Sequence, residues 1–533
     1  MKQRMIIASL GILFLALVFQ KANSEIAPIE FSNGIFISTE IKPIGFYDGP
    51  YNSPKTTFGM YLLDFKAGSV LPEQLTGQRV HIQWQQVNPA PGVYDFSEMD
   101  AEIKNYISQG YCVSIRLNGN RKPEWMFDKI PYHPTQMHVQ VNDPKGTLAY
   151  WDPIFIQTYM EVIEEYAKYI KSLPQETRAM IAGIRLNFNS IGTEQWDITQ
   201  EAEDYNTWIV PKGATPPIPL TKAMKSAYRA QVVDKFVECF VPDVPVFCRT
   251  NVEEDVFEKY RRLFEEGKFG WFHTGAGMEQ TQIFNQTHRY QPFLDFCKTG
   301  KTFGFTESAA PGNNNVKVVL EAAGYNHTQY HYWQLLSNLH CGISHIAMFN
   351  RVYADYEPGN VEDLTLSIGD KYAGYHAKPL EARGAWVALR KEGDGFKGDY
   401  TYLMKRVPDE SVGVQLKKVG EPNSAFGVWT LAIAENEVLH FDVNDRLFNG
   451  GGDVKLQLRY FDEGNSALGI YYTGDSANQK AGEIAMKGTN TWHFAAVPLK
   501  DAHFDNRSRE KSDLYLKNEG KSRIILHFVE VTK

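Results

Sequence analysis

Cysteine is scarce. The five residues Cys112, Cys239, Cys248, Cys297 and Cys341 are scattered and odd in number. No spacing among them suits a zinc site or a disulfide scaffold. Several lie inside apolar stretches such as YCVSIRL and VPVFCRT, so buried free thiols are expected, with a Cys239–Cys248 bridge as the alternative. Basic charge is lacking too: a net charge of −8 at pH 7 advertises no surface for nucleic acid or an anionic membrane. No His-x-His or clustered His/Asp set marks a metal site, which argues against a metal-dependent hydrolase. His327 and His331 stand four apart in an expected helix but lack the Glu of a zinc-protease motif. The apolar run from Met5 to Phe19 falls short of the roughly 20 residues that span a bilayer. Lys2 and Arg4 precede it and Ala22-Asn23-Ser24 follows, the pattern of a cleavable signal peptide over 1–24. With no cysteine near the cleavage point to carry a lipid anchor, a secreted or periplasmic protein without membrane insertion is expected.

Flat rings, by contrast, are plentiful: ten Trp, 28 Tyr and 32 Phe. Most will serve core packing, although pyranose-binding clefts use the same rings. From residue 58 to 350 the chain alternates strand-like and helix-like segments. The strands are expected at 58–65, 79–84, 111–119, 179–189, 244–250, 270–276, 301–307 and 343–350. Helices are expected near 100–110, 154–171 and 221–240, among others. Such alternation implies parallel strands joined by crossover helices, and eight units over roughly 350 residues imply a (β/α)₈ barrel. The texture changes near residue 395. Short strand-like runs separated by Asn, Gly and Asp (GVWTLAIA, DVKLQLRYFD, TWHFAAVPL, SRIILHFVEV) suggest a jelly-roll-like β-sandwich. The expected division is therefore a barrel over 25–394 and an accessory sandwich over 395–533, which binds carbohydrate or simply braces the barrel.

Active sites of such barrels lie at the C-terminal strand ends. Two carboxylates stand there: Glu194 follows the fourth strand in IRLNFNSIGTEQW, and Glu307 ends the seventh in FGFTE. Two acids that face one acetal bond suit glycosidic hydrolysis, one protonated to release the leaving oxygen and one ionised to attack the anomeric carbon. A single Glu in a loop is more often a solvated surface residue. Glu124, Glu201, Glu203 and Glu279 compete for the same assignment.

The stretch HIQWQQVNPAPGVYDFSEMD (81–100) resembles the second-strand segment of family 42-type β-galactosidases and related clan A retaining glycosidases. Trp84, Pro89, Gly92, Asp95, Phe96 and Asp100 fit a W-x₄-P-x₂-G-x₂-DF-x₃-D pattern. The resemblance implies that Glu194 is the acid/base, that Glu307 is the nucleophile, and that no metal or organic cofactor is needed. It also implies carboxyl groups about 5–5.5 Å apart. The substrate would be a β-galactoside-type poly- or oligosaccharide, with sulfated marine galactans in the neighbourhood. The chain departs from the clan pattern at Thr193, where an Asn usually precedes the acid/base; Asn187 or Asn189 would then contact the sugar.

Supporting roles follow from position. Trp84 would floor the barrel mouth. Arg116 and Asn118, ending the third strand, would bind hydroxyls, or Arg116 would form an interior ion pair. His273, ending the sixth strand, would keep Glu307 ionised. Asn350 ends the eighth strand. Trp125 would stack on a sugar ring; for Trp333 core packing is the first expectation and stacking the alternative. Arg121 and Lys122 beside Trp125 hint at an anionic substituent on the substrate. The rival readings are a barrel that binds carbohydrate without catalysis and a metal-dependent barrel hydrolase.

Overall fold

The computed structural model describes residues 31–32, 35–38, 57–63, 72–138, 140–193, 203–249, 254–275, 304–308, 324–348, 356–357, 359–392, 397–408, 411–422 and 424–533. The signal-like segment, Cys297, Glu194, Glu201, Glu279 and Asn350 lie outside them.

Eight parallel strands close into a barrel. In chain order they are β1 (Gly59–Leu62), β2 (Leu75–Gln83), β3 (Cys112–Asn118), β4 (Ile181–Arg185), β5 (Val246–Arg249), β6 (Phe269–Gly275), β7 (Gly304–Ser308) and β8 (His345–Met348). Each overlaps an expected strand. The surrounding helices include α1 (Ser97–Ser108), α2 (Pro153–Ser172), α3 (Lys222–Phe240), α4 (Glu254–Glu265), α5 (His327–His340) and α6 (Val361–Tyr372). Local chemistry fixes their starts. Asp152 caps α2 by accepting from the Ile154 amide at 2.8 Å, with Pro153 in the first turn, and Asn326 and Gln329 form a reciprocal box at the start of α5. The buried face of α2 (Phe155, Tyr159, Val162, Ile163, Tyr166, Ile170) repeats at helical spacing and closes over the barrel wall.

Apart from a two-stranded ribbon, Tyr132–His133 with Thr147–Leu148, the remaining strands form a nine-stranded and a five-stranded antiparallel sheet, the expected β-sandwich. In the larger sheet, β9 (Gly384–Ala388), β10 (Gly452–Phe461) and β11 (Trp492–Ala502) assemble around β12 (Ile524–Thr532). This sheet also takes strand Ile35–Ser38, which pairs with β11, so it draws residues from both ends of the 25–394 segment that the sequence division gave to the barrel. The reason is patterning: IFIS and GAWVA are short apolar strands that no local feature separates from barrel strands.

All nine residues of β12 are buried, because one face of its sheet packs inside the sandwich and the other against the barrel helices. Helix α5 is buried from Gln329 to His340 between barrel and sandwich. The seam is polar as well as apolar. Trp333 Nε1 donates to Ala425 O at 2.7 Å and its ring meets Trp429 edge-on at 4.7 Å. Lys371 pairs with Glu530 at 2.9 Å with both side chains buried. His527 Nε2 lies 2.8 Å from the Tyr332 hydroxyl. The described cysteines, Cys112, Cys239, Cys248 and Cys341, are free, as expected from their apolar settings. Among the described residues no helix is long and apolar enough to cross a membrane.

Burial holds His527 neutral, with Arg459 adding to the effect; His345 is likewise buried and His81 half-buried, and all three are lowered to about 3. Above pH 6.5 these histidines are neutral in folded and unfolded chains alike. As the pH falls from 6.5 toward 3, only the unfolded chain takes up their protons, and stability is lost. The expected slope is about 1.4 kcal/mol per pH unit for each histidine. Urea unfolding midpoints measured from pH 7 to pH 4 should fall, and His527→Gln should flatten that dependence.

Candidate active site

The barrel interior is built in layers. Deep in the lumen, the rings of Tyr61, Phe247, Phe305 and His345 meet one another at centroid distances of 5.2 to 6.2 Å. Two residues beyond Phe305, on the same face of β7 and nearer its C-terminal end, stands Glu307. Side chains on a strand alternate between faces, so a ring layer and a polar layer follow each other along one strand.

Glu307 is 9% exposed and doubly paired. Arg185 from the end of β4 reaches across the lumen to Oε2 at 2.8 Å, and Arg79 from β2 reaches Oε1 at 3.2 Å. The Arg185 guanidinium also lies 3.6 Å from the centroid of the Phe272 ring, which holds it from behind. Burial alone would push the Glu307 carboxyl up. Arg185, Arg79 and Arg116 together outweigh that and bring it down to about 2. The carboxylate is therefore ionised at any pH where the protein works.

Beside this layer the end of β3 holds the loop that follows β4. Asn118 Oδ1 accepts from the Thr193 hydroxyl at 2.6 Å and from the Asn120 amide at 2.8 Å, while its Nδ2 lies 2.7 Å from His81 Nε2. With Oδ1 occupied by two donors, Nδ2 donates, so His81 accepts at Nε2 and carries its proton on Nδ1. Burial first, and then Arg116, Arg79 and Arg185, lower His81 to about 3, so it stays neutral. Asn189 adopts φ +48°, a left-handed conformation that Asn tolerates, and its Oδ1 accepts from the Gly119 amide at 2.8 Å. A Cβ at position 119 would come within 2.5 Å of the Asn189 side chain, so the approach requires glycine. Asn187 Nδ2 donates to Leu117 O at 2.8 Å. These contacts staple residues 187–193 onto β3 and pin Thr193, the residue before Glu194.

Several expectations need correction. Trp84 does not floor the lumen: it is fully buried behind β2 against Phe155 and Tyr159 of α2 at 5.4 and 4.8 Å. Its position one residue past Gln83 turns it outward, into the helix layer. Trp333 takes the core-packing role expected of it first, in the seam with the sandwich. Asn187 and Asn189 are 1% and 0% exposed and are used in holding the loop, as is Asn118 at 3%. Trp125 sits on the outer rim, where its Nε1 donates to Asn88 O at 3.1 Å. Lys122 is buried: its ammonium donates to Gly119 O and lies near Asp143, so it is not presented to an anionic ligand. Arg116 faces the Glu307 cluster, in keeping with the interior-charge alternative. The side chain of His273 lies outside the described residues, as do Glu194 and Asn350. Of the competing acids, Glu124 is on the surface beside Lys145 at 3.3 Å, and Glu203 is exposed. Among the described residues no group of three His, Cys, Asp or Glu is arranged to hold a metal ion.

Arg79, Arg185 and His81 carry the site and were not singled out from the sequence. Their signal was there. His81 and Arg185, like Arg116 between them, are flanked by aliphatics on both sides: Val80-His81-Ile82, Ile115-Arg116-Leu117, Ile184-Arg185-Leu186; Arg79 falls two residues before His81 on the same face. Strand pairing aligns His81 with Arg116 and Arg116 with Arg185. Period-two polarity in a buried parallel strand marks a polar lumen.

No protein-family model matches the chain, and none of the curated proteins does. Solved structures that share features with it include a cold-adapted β-galactosidase from Rahnella sp. R3 (13% identity, TM-score 0.38), with 62% of this chain and 58% of that chain covered. A xylanase 10B from Clostridium thermocellum, complexed with xylohexaose, matches over 28% of each chain at 9% identity and TM-score 0.19. An α-amylase from Geobacillus thermoleovorans, complexed with acarbose, matches over 88% of this chain and 100% of that one, at 11% identity and TM-score 0.31. All three are glycoside hydrolases. At these identities and scores the fold argument rests on the closed barrel and the sandwich themselves.

Replacing Arg185 by Met leaves Glu307 with Arg79 as its remaining close cation. Because the pair is buried, stability at pH 7 should drop by about 3 kcal/mol. The difference from wild type should shrink as the pH falls toward 2 and the carboxylate protonates. Chemical unfolding of both proteins across that pH range checks it.

Proposed function

We propose that the protein is an exported retaining β-glycosidase in which Glu307 is the nucleophile and Glu194 the acid/base. The observation that carries the reading is Glu307 itself: a buried carboxylate near the C-terminal end of β7, kept ionised by Arg185 and Arg79. Oriented by two guanidinium groups, it attacks the anomeric carbon while Glu194 gives its proton to the departing oxygen. The bond to the leaving group breaks and an ester to Glu307 forms. Glu194 then takes a proton from water, which attacks the same carbon and releases Glu307. A carboxylate that is a weak base is also a good leaving group, which favours this second step. Support for Glu194 comes from its neighbour. Thr193 is fully buried and tied to Asn118, which touches the His81 of the same polar layer. The substrate we assign is a β-galactoside-type poly- or oligosaccharide, on the strength of the 81–100 motif.

Reducing-sugar release from neutral and sulfated β-galactans, xylan and β-glucan tests the proposal, with wild type beside Glu194→Gln and Glu307→Gln. Wild type should act on a β-galactan. Glu194→Gln should lose about a hundredfold to ten-thousandfold, and Glu307→Gln should fall to background, with both folded by circular dichroism. Full activity of Glu194→Gln moves the proton donor to another acid. A wild type that binds a glycan without cleaving it makes the barrel a carbohydrate-binding protein.

A further inference from the structure

A second feature lies on the outer rim, on the far side of α2 from the lumen. Trp84 packs on Phe155 and Tyr159, whereas Ile154, Gln157, Thr158 and Glu161, about 100° round the same helix, face a groove of about 170 Å³. The opposite wall is the 88–94 turn of the Trp84 motif, and one end is closed by Trp125. Catalysis at Glu307 does not use any of these residues.

The chemistry of the groove is specific. Two partly exposed rings, Tyr94 and Trp125, stand beside side chains able to hydrogen-bond hydroxyls. Gln157 and Glu161 are linked at 2.9 Å, and Glu161 also meets the Tyr94 hydroxyl at 3.4 Å. The Lys129 ammonium lies 5.4 Å from the Trp125 ring centroid and has no carboxylate partner among the described residues. Asn88, fully buried, spends both amide donors on Ala90 O and Val93 O, and its Oδ1 has no partner at all. Asn88 therefore braces the 88–94 wall of the groove from behind. Pockets for drug-sized ligands measure roughly 300–1,000 Å³, so this smaller groove suits one ring. Val93 and Ile154, 49% and 42% exposed, extend its apolar border.

We propose that this groove is a non-catalytic saccharide site that holds one pyranose unit of a longer glycan. An aromatic ring supports the apolar sugar face while Gln157, Glu161 and Lys129 take the hydroxyls. The proposal rests on the ligand being a carbohydrate, as in the proposed function, but not on which acids perform catalysis. Its effect is to tether a polysaccharide next to the barrel mouth.

Affinity electrophoresis in gels containing soluble β-galactan, xylan or β-glucan tests it. The full chain is used in its wild-type, Glu307→Gln and Glu307→Gln/Trp125→Ala forms. Tyr94→Ala and Gln157→Ala in the Glu307→Gln background guard against misfolding of the Trp125 variant. Expected is retardation of Glu307→Gln by at least one glycan, weakened about tenfold by Trp125→Ala and measurably by the other two. No retardation in any gel, or retardation indifferent to all three groove substitutions, overturns the proposal. In parallel, hydrolysis of a nitrophenyl glycoside by Trp125→Ala should match wild type while the KM for polysaccharide rises. An equal loss on both substrates overturns it by putting Trp125 in the catalytic cleft. If Glu307→Gln cleaves as fast as wild type while the groove variants still lose retardation, the catalytic assignment fails and the saccharide site stands.

Discussion

One buried negative charge organises the barrel mouth. Glu307 sits directly above a layer of aromatic rings in the lumen, a setting in which a lone carboxylate would be protonated or would pull water in. Its partners come from β2 and β4, on either side of β3, so satisfying that single charge ties three separate strands together. The neutral His81 and the Asn118–Thr193 contacts continue the arrangement into the loop after β4. The same charge requirement that fixes the strand ends also leaves an ionised oxygen where the fold gathers its loops. Scaffold and chemistry share one constraint.

The barrel was legible because parallel strands buried on both faces and amphipathic crossover helices leave strong periodic signals, and all eight strands fall where the alternation puts them. The sandwich was legible for the same reason, while its membership was not. Ile35–Ser38 and β9 carry no mark of the sheet they join, since pairing partners far along the chain leave no local trace. At the site, Glu307 could be found because it is an acid at a strand end. The arginines that pair with it, Arg79 and Arg185, lie within strands and carry no motif, although the alternation Ile184-Arg185-Leu186 states which way Arg185 points.

Tryptophan was the least reliable guide. Trp84 and Trp333 share composition and neighbourhood with sugar-stacking residues, yet one fills the gap between strand and helix and the other joins barrel to sandwich. A large ring gains most by complete burial, about 25 cal/mol for each Å² of apolar surface removed from water, so most rings are drawn inward. Trp125 differs because a 3-10 turn, Glu124–Asp128, holds it at the rim.

The pairing of Ile35–Ser38 with β11 has a consequence for the order of assembly. The strand made among the first has a partner made near the last, and β12, the fully buried centre of that sheet, is later still. A ribosome-bound chain therefore lacks the centre of the large sheet, and the sides of α5 and α6 that face the sandwich stay uncovered. The long-range pairing demands a large loss of chain entropy before it is rewarded. The large sheet is complete only once the last strand of the chain has been made.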